Sequence, residues 1–277
     1  MTTPAAEADA SAALAAAARA GPYFVIEPSL AGPRWQPLTV LTAGPAVLRE
    51  RVSHTRRVIA GRAGLDPRQI PERAAASIVF LGLASRLVSP ALAAAVLGGV
   101  VPRLTASTLY WRPVPGGPWP LAVTTPVTGY QAGGLATGGG LRQAAALLDE
   151  HIIQGIVSPL AGTAAAGFRL SRQVLWGNVA SALAGAAGVL AGRYPARAEA
   201  AGRLTAAVLA TGPLAGAGDL VQPDPQQPRR FLVRRNCCLF YRVPGGGLCG
   251  DCVLATEEAR RRNWQAVLRP APDHFAG

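Results

Sequence analysis

The sequence predicts a mainly α (α+β) fold: a helical single domain with a small antiparallel β element and a C-terminal four-cysteine segment. Three observations carry that expectation. Apolar residues recur at helical spacing, as in Leu48, Val52 and Ile59 and again in Leu148, Ile152, Ile156 and Leu160. Two neighbouring strand-like stretches, 108–112 and 119–125, flank PVPGGP, the pattern of a β-hairpin with a longer loop. All four cysteines lie between positions 237 and 252.

Taken in order, residues 8–20 read as an Ala-rich helix with Asp9 or Ser11 as cap and Gly21 as stop. Its apolar face is mostly methyl groups, so weak docking is expected. Residues 23–27 (YFVIE) read as a short strand. Pro45 opens a helix whose Leu48, Val52, Thr55 and Ile59 share a face. Residues 72–88 form a strongly apolar helix, which Pro90 is expected to break. A second helix then runs to about 97, giving a buried helical hairpin. Arg73 and Arg86 stand out on it; Arg86, among apolar neighbours, needs an anionic or carbonyl partner.

The glycine-rich stretch 131–143 matches neither a phosphate-binding loop nor a dinucleotide fingerprint, so it reads as a flexible connector. Helices follow at about 141–160 and 171–192, the latter with Trp176 and a half-buried Asn178. Another begins at Pro195 and ends near Gly212. A Pro/Gly loop, 212–228, leads to a short strand at 231–235. Thr256 caps a last helix with Glu257 and Glu258 in its first turn, and Pro270 ends it. The expected organisation is an Ala-rich segment 1–21, a helical body 22–228 and a cysteine segment 229–277.

Bulk composition bounds the function. The 277 residues are 50% hydrophobic and 15% charged, which is globular rather than disordered. The formal charge is +12, and every basic residue is arginine. Such a balance favours anionic partners, but no basic groove interleaved with aromatics or DNA-reading motif is present, so nucleic acid is not expected. The first 21 residues lack the basic and apolar regions of a signal peptide. Arg86 and Pro90 interrupt the longest apolar run, and an arginine at mid-bilayer costs roughly 2.5–3.5 kcal/mol. No transmembrane segment is therefore expected, and the location reads as cytoplasmic. His54, His151 and His274 are isolated, and no nucleophile–histidine–carboxylate set emerges.

The cysteine segment is FLVRRNCCLFYRVPGGGLCGDCVL: an adjacent pair, Cys237 and Cys238, then ten residues, then Cys249-x-x-Cys252. Four thiols on one loop suit a 2Fe–2S cluster, a structural zinc or two disulfides. Zinc sites favour two C-x(2–4)-C knuckles, which an adjacent pair fits poorly. Disulfides need an oxidising compartment. The cluster ranks first, with zinc and disulfides open.

RRNCCLFYRVPGGGLCGDC resembles the C-terminal motif of the FhuF-like ferric-siderophore reductases: paired arginines, C-C-x(10)-C-x-x-C, and Gly-Asp between the last two cysteines. The stretches at 73–102 and 174–183 are similar to the actinobacterial branch of that family. The resemblance implies a 2Fe–2S cofactor held by Cys237, Cys238, Cys249 and Cys252. It also implies one-electron reduction of ferric iron in a siderophore, with electrons from a ferredoxin, a separate reductase or a small reductant. Arg234, Arg235 and Arg242 flank the ligands as candidates for tuning the cluster or docking substrate. Arg73, Arg86, Trp176 and Asn178 are further candidates on the matched stretches. The rivals are a zinc-stabilised binding module and an iron–sulfur redox sensor without turnover.

Overall fold

The computed structural model describes residues 6–124 and 126–269. Strand β1 (Glu7–Asp9) leads into helix α1 (Ser11–Ala18), and Asp9 accepts the Ser11 N–H at 2.8 Å. Residues 23–27 do not form a strand. Pro22–Phe24 is a 3₁₀ turn, and Glu27 makes only an isolated parallel bridge to Ala122. After β2 (Gln36–Pro37) and the short α2 (Val40–Ala43), α3 runs from Ala46 to Ala63 and buries Leu48 and Val52.

Helix α4 (Glu72–Gly98) is continuous, which corrects the expected hairpin: Pro90 lies inside it. Proline removes one N–H donor from the ladder, but Val88, Ser89, Pro90, Ala91 and Leu92 are all buried. Packing on every side thus holds the backbone helical where solvent would let it turn. Helix α1 docks on α4 far more closely than its small residues suggested. Ala10, Ala13, Leu14 and Ala17 are buried, and a Cβ at Gly98 would overlap Ala13. Methyl groups bury little area each, but they let two backbones approach.

Strands β3 (Val100–Pro102), β4 (Leu109–Trp111), β5 (Leu121–Val123) and β6 (Thr128–Gln131) complete two small antiparallel sheets, β1-β6-β3 and β2-β4-β5. The expected hairpin is β4–β5, with Leu109 opposite Val123. The glycine stretch is half structured: Thr137 accepts the Gly140 N–H at 3.1 Å and caps α5 (Gly138–Leu148). A π-helical stretch, Asp149–Val157, carries α5 directly into α6 (Ser158–Phe168) and buries Ile152 and Ile156.

Helix α7 (Arg172–Arg193), capped by Ser171, is the main partner of α4 at the centre of the fold. Both are long and apolar enough to cross a membrane, yet 78% and 67% of their most apolar windows are buried inside the protein. Helix α8 (Ala198–Leu209) packs on α7. The segment read as a Pro/Gly loop contains strand β7 (Gly218–Val221), which pairs with β8 (Phe231–Arg234). Thr256 caps α9 (Glu257–Leu268), accepting from Ala259 at 3.2 Å. The stop expected at Pro270 lies outside the described residues.

Candidate metal centre

Strand β8 delivers the chain to Cys237, and each knuckle then folds on its own backbone. Leu239 N–H donates to Cys237 Sγ at 3.3 Å, and Leu254 N–H donates to Cys252 Sγ at 3.4 Å. The same i to i+2 bond thus supports one sulfur in each half. Leu239 sits in the left-handed region, with φ at 68°. That is unfavourable for a side-chain-bearing residue and is tolerated where surrounding structure enforces it. It reverses the chain immediately after Cys238. Gly245 and Gly247, both with positive φ, then turn it back toward Cys249.

The sulfurs of Cys238 and Cys249 touch at 3.4 Å. This contact pulls Cys238 down to about 6, helped by the Arg234 charge, while the same contact and burial push Cys249 up. Burial raises Cys237, against the Leu239 N–H and Arg234. All four thiols are free; Cys238 and Cys252 are buried and the other two half-buried. Among the described residues no three His, Cys, Asp or Glu side chains converge on one point as a single ion would need. The sulfurs meet as a pair and two neighbours.

The strongest support comes from Arg234, which is 2% exposed. Its guanidinium donates to Asn178 Oδ1 at 2.8 Å, Asn236 Oδ1 at 3.0 Å, the Asn236 carbonyl at 3.1 Å and the Val174 carbonyl at 3.2 Å. None of these acceptors is charged, and among the described residues no carboxylate lies within ion-pair distance of it. A buried cation paired only with dipoles is costly unless an anion stands close by. Its charge acts on Cys237, Cys238 and Asp251, so the thiolates and the Asp251 carboxylate are its natural counter-charges. Burial pushes the Asp251 carboxyl up, against a Ser181 hydrogen bond and the Arg234 charge. Four sulfur donors, one in each half with N–H support, and a poised cation fit a 2Fe–2S cluster, which carries net negative charge through its thiolate ligands.

Asn178 relays this anchor to α4. It is fully buried rather than half-buried, and its Nδ2 donates to the Ser77 carbonyl and to Ser77 Oγ, each at 2.9 Å. Ser77 Oγ in turn donates to the Cys238 carbonyl at 2.7 Å. An unbroken chain of hydrogen bonds therefore runs from Arg234 through Asn178 and Ser77 to the cysteine pair. Gly177 is part of the fit, since a Cβ there would collide with Asn236 Oδ1 and Arg234 Nη2. Ser77 and Asn236 were not singled out from sequence. The available signal for Ser77 was one hydroxyl inside an otherwise apolar run.

The other candidates divide. Arg242 borders the site: its charge and that of Cys237 act on each other, and its Nε donates to Tyr241 Oη at 3.1 Å. Arg235 is tied to Asp219 by bonds of 3.0 and 2.8 Å on the exposed face of β7–β8. Arg73 is exposed one turn before Ser77, and Trp176 packs against the apolar core. Arg86 is held away from the sulfurs, donating to the carbonyls of Trp119, Pro22 and Val25 at 2.6 to 2.8 Å. Burial lowers it to about 10, so it stays charged at neutral pH.

No curated protein matches the chain. Residues 234–254 match the family model for the FhuF 2Fe–2S C-terminal domain. The match contains all four cysteines, Arg234, Arg235 and Arg242; Ser77 and Asn178 reach the site from outside it. The chain carries an FhuF-like C-terminal domain, whose cofactor is a 2Fe–2S cluster.

Proposed function

We propose that the protein is a ferric-siderophore reductase, an oxidoreductase that moves one electron onto siderophore-bound Fe(III) and so releases iron as Fe(II). Cys237, Cys238, Cys249 and Cys252 are the ligands in this reading, and the cluster supplies a one-electron redox centre when bound. The observation that carries it is a four-cysteine segment, with the Cys238 and Cys249 sulfurs in contact, that a buried guanidinium and a helix–helix hydrogen-bond chain hold in place.

The chemistry asks little else of the chain. Ferric iron is held by hard oxygen donors, and ferrous iron far less tightly, so a single electron releases the metal with the chelator intact. One electron enters from an external donor, a ferredoxin, a separate reductase or a small reductant, and one leaves on the iron. No nucleophile or general base is required. Tyr241, Leu248 and Leu254 on the loop are 43%, 51% and 54% exposed, which suits contact with a docked partner. The apolar helices α4 and α7 are buried, which suits a cytoplasmic protein, free or membrane-peripheral.

The test is anaerobic mixing of reduced protein with a panel of ferric chelates, following cluster reoxidation and Fe(II) release together. Reoxidation with stoichiometric Fe(II) is expected. A cluster that reoxidises with oxidants but never with ferric siderophores would make the protein a redox sensor. A colourless protein carrying zinc would make it a binding module.

A further inference from the structure

A groove of about 430 Å³ opens between α3, α4 and the loop that precedes β5, and Phe240 forms part of its wall. Phe240 lies two residues after Cys238, so the groove and the cysteine loop share a wall. The volume is within the range that takes small ligands. Its lining includes Arg51, His54, Arg62 and Arg86 and no aspartate or glutamate. Among the described residues, none of these arginines pairs with a carboxylate. Arg51 and Arg86 are fixed by carbonyls: Arg51 donates to Val114 at 2.8 Å and Gly117 at 3.3 Å and lies 5.2 Å from the centre of the Trp119 ring. Backbone dipoles orient such charges without cancelling them; Glu27, outside the lining, acts on Arg86 only from beyond ion-pair distance. Arg62 is exposed on the rim. The larger groove beneath α9, about 1040 Å³, has Asp224 and Glu257 among its arginines, so its charge is mixed.

We propose that the α3–α4 groove is the docking site for the ferric chelate and that it selects anionic chelates, of the catecholate or carboxylate type, over cationic ones. This rests on the reductase reading and adds the place and the charge class of the substrate. Fixed cations in a partly dry groove attract an anion before contact and hold it afterwards. The apolar walls, Val79, Leu83 and Trp119, take the organic part of the ligand.

Gallium(III) complexes test this, because they match the ferric complexes in shape and charge but accept no electron. The full-length, cluster-loaded protein is titrated calorimetrically with three of them: an anionic tris-catecholate, a neutral trihydroxamate and a cationic trihydroxamate with a free amine. The anionic complex is expected to bind at least about tenfold more tightly than the cationic one, and to weaken as salt rises. Arg62→Glu is expected to weaken it by about tenfold. Gly82→Phe is expected to abolish binding, since a Cβ at Gly82 meets nothing within 4 Å and the ring would fill the groove. Equal affinity for the anionic and cationic complexes overturns the charge selection. Affinity untouched by both variants overturns the location. Should Gly82→Phe lose its cluster, the exposed Arg62→Glu variant decides alone. Gallium binding that follows the groove, without cluster reoxidation by the ferric complexes, removes the reductase reading and leaves the groove standing. Reoxidation that ignores both variants does the reverse.

Discussion

Ser77 shows how much one hydroxyl can carry here. It donates to the Cys238 carbonyl and accepts from Asn178, so alanine in its place removes the hydroxyl's bond to the buried Cys238 carbonyl and leaves Asn178 Nδ2 only the Ser77 carbonyl. Ser77→Ala is expected to cost about 1–3 kcal/mol in denaturant unfolding and to lower the iron content of purified protein. Arg234 and Arg235 are neighbours in sequence with opposite prospects. Arg234 is buried beside the thiols and favours the more negative, reduced state; Arg235 is neutralised by Asp219 on the surface. Arg234→Gln is therefore expected to lower the cluster potential by tens of millivolts in a spectroelectrochemical titration, with Arg235→Gln close to the parent. Equal shifts in both would mean that only the general field of the arginines matters.

Among elements, α4 and α7 form the platform and the cysteine segment is mounted on it. Close approach governs their contacts. Gly98→Ala is expected to destabilise the α1–α4 junction by about 1–3 kcal/mol, because the new methyl overlaps Ala13. Gly185→Ala, on an exposed position of α7 with nothing within 4 Å, is expected to gain about 0.5–1 kcal/mol from helix propensity. Thermal unfolding of the pair separates steric fit from backbone entropy. Gly177 belongs with Gly98: the glycine leaves room for the Arg234 and Asn236 side chains.

Across the whole molecule, the core and the metal centre are nearly separate. The large buried side chains, Phe80, Leu92, Ile152 and Ile156 among them, lie in the helical body and owe nothing to the thiols. Stripping the cluster with acid and chelator is therefore expected to leave the far-ultraviolet helical signal intact while opening residues 237–254 to proteolysis. Mass spectrometry of a limited digest reads this directly. Global loss of helix would show instead that the cluster is part of the core.

The sequence was informative wherever neighbours along the chain decide the outcome. Period and caps placed α3, α7 and α9, the loop between two alternating runs placed the β4–β5 hairpin, and the cysteine spacing pointed to the candidate metal centre. It failed where distant segments decide. Pro90 reads as a break because local rules count a missing N–H, and α4 stays helical through it because burial on all sides outweighs one hydrogen bond. Asn178 and Ser77 are 101 residues apart and meet only across the α4–α7 interface. Arg234 and Arg235 look alike in one dimension, yet Arg234 ends β8 buried and Arg235, just past the strand, is exposed. Composition and spacing thus determined the chemistry available to the chain. Tertiary packing decided which charges face the sulfurs, because burial and counter-charge belong to positions in space rather than in sequence.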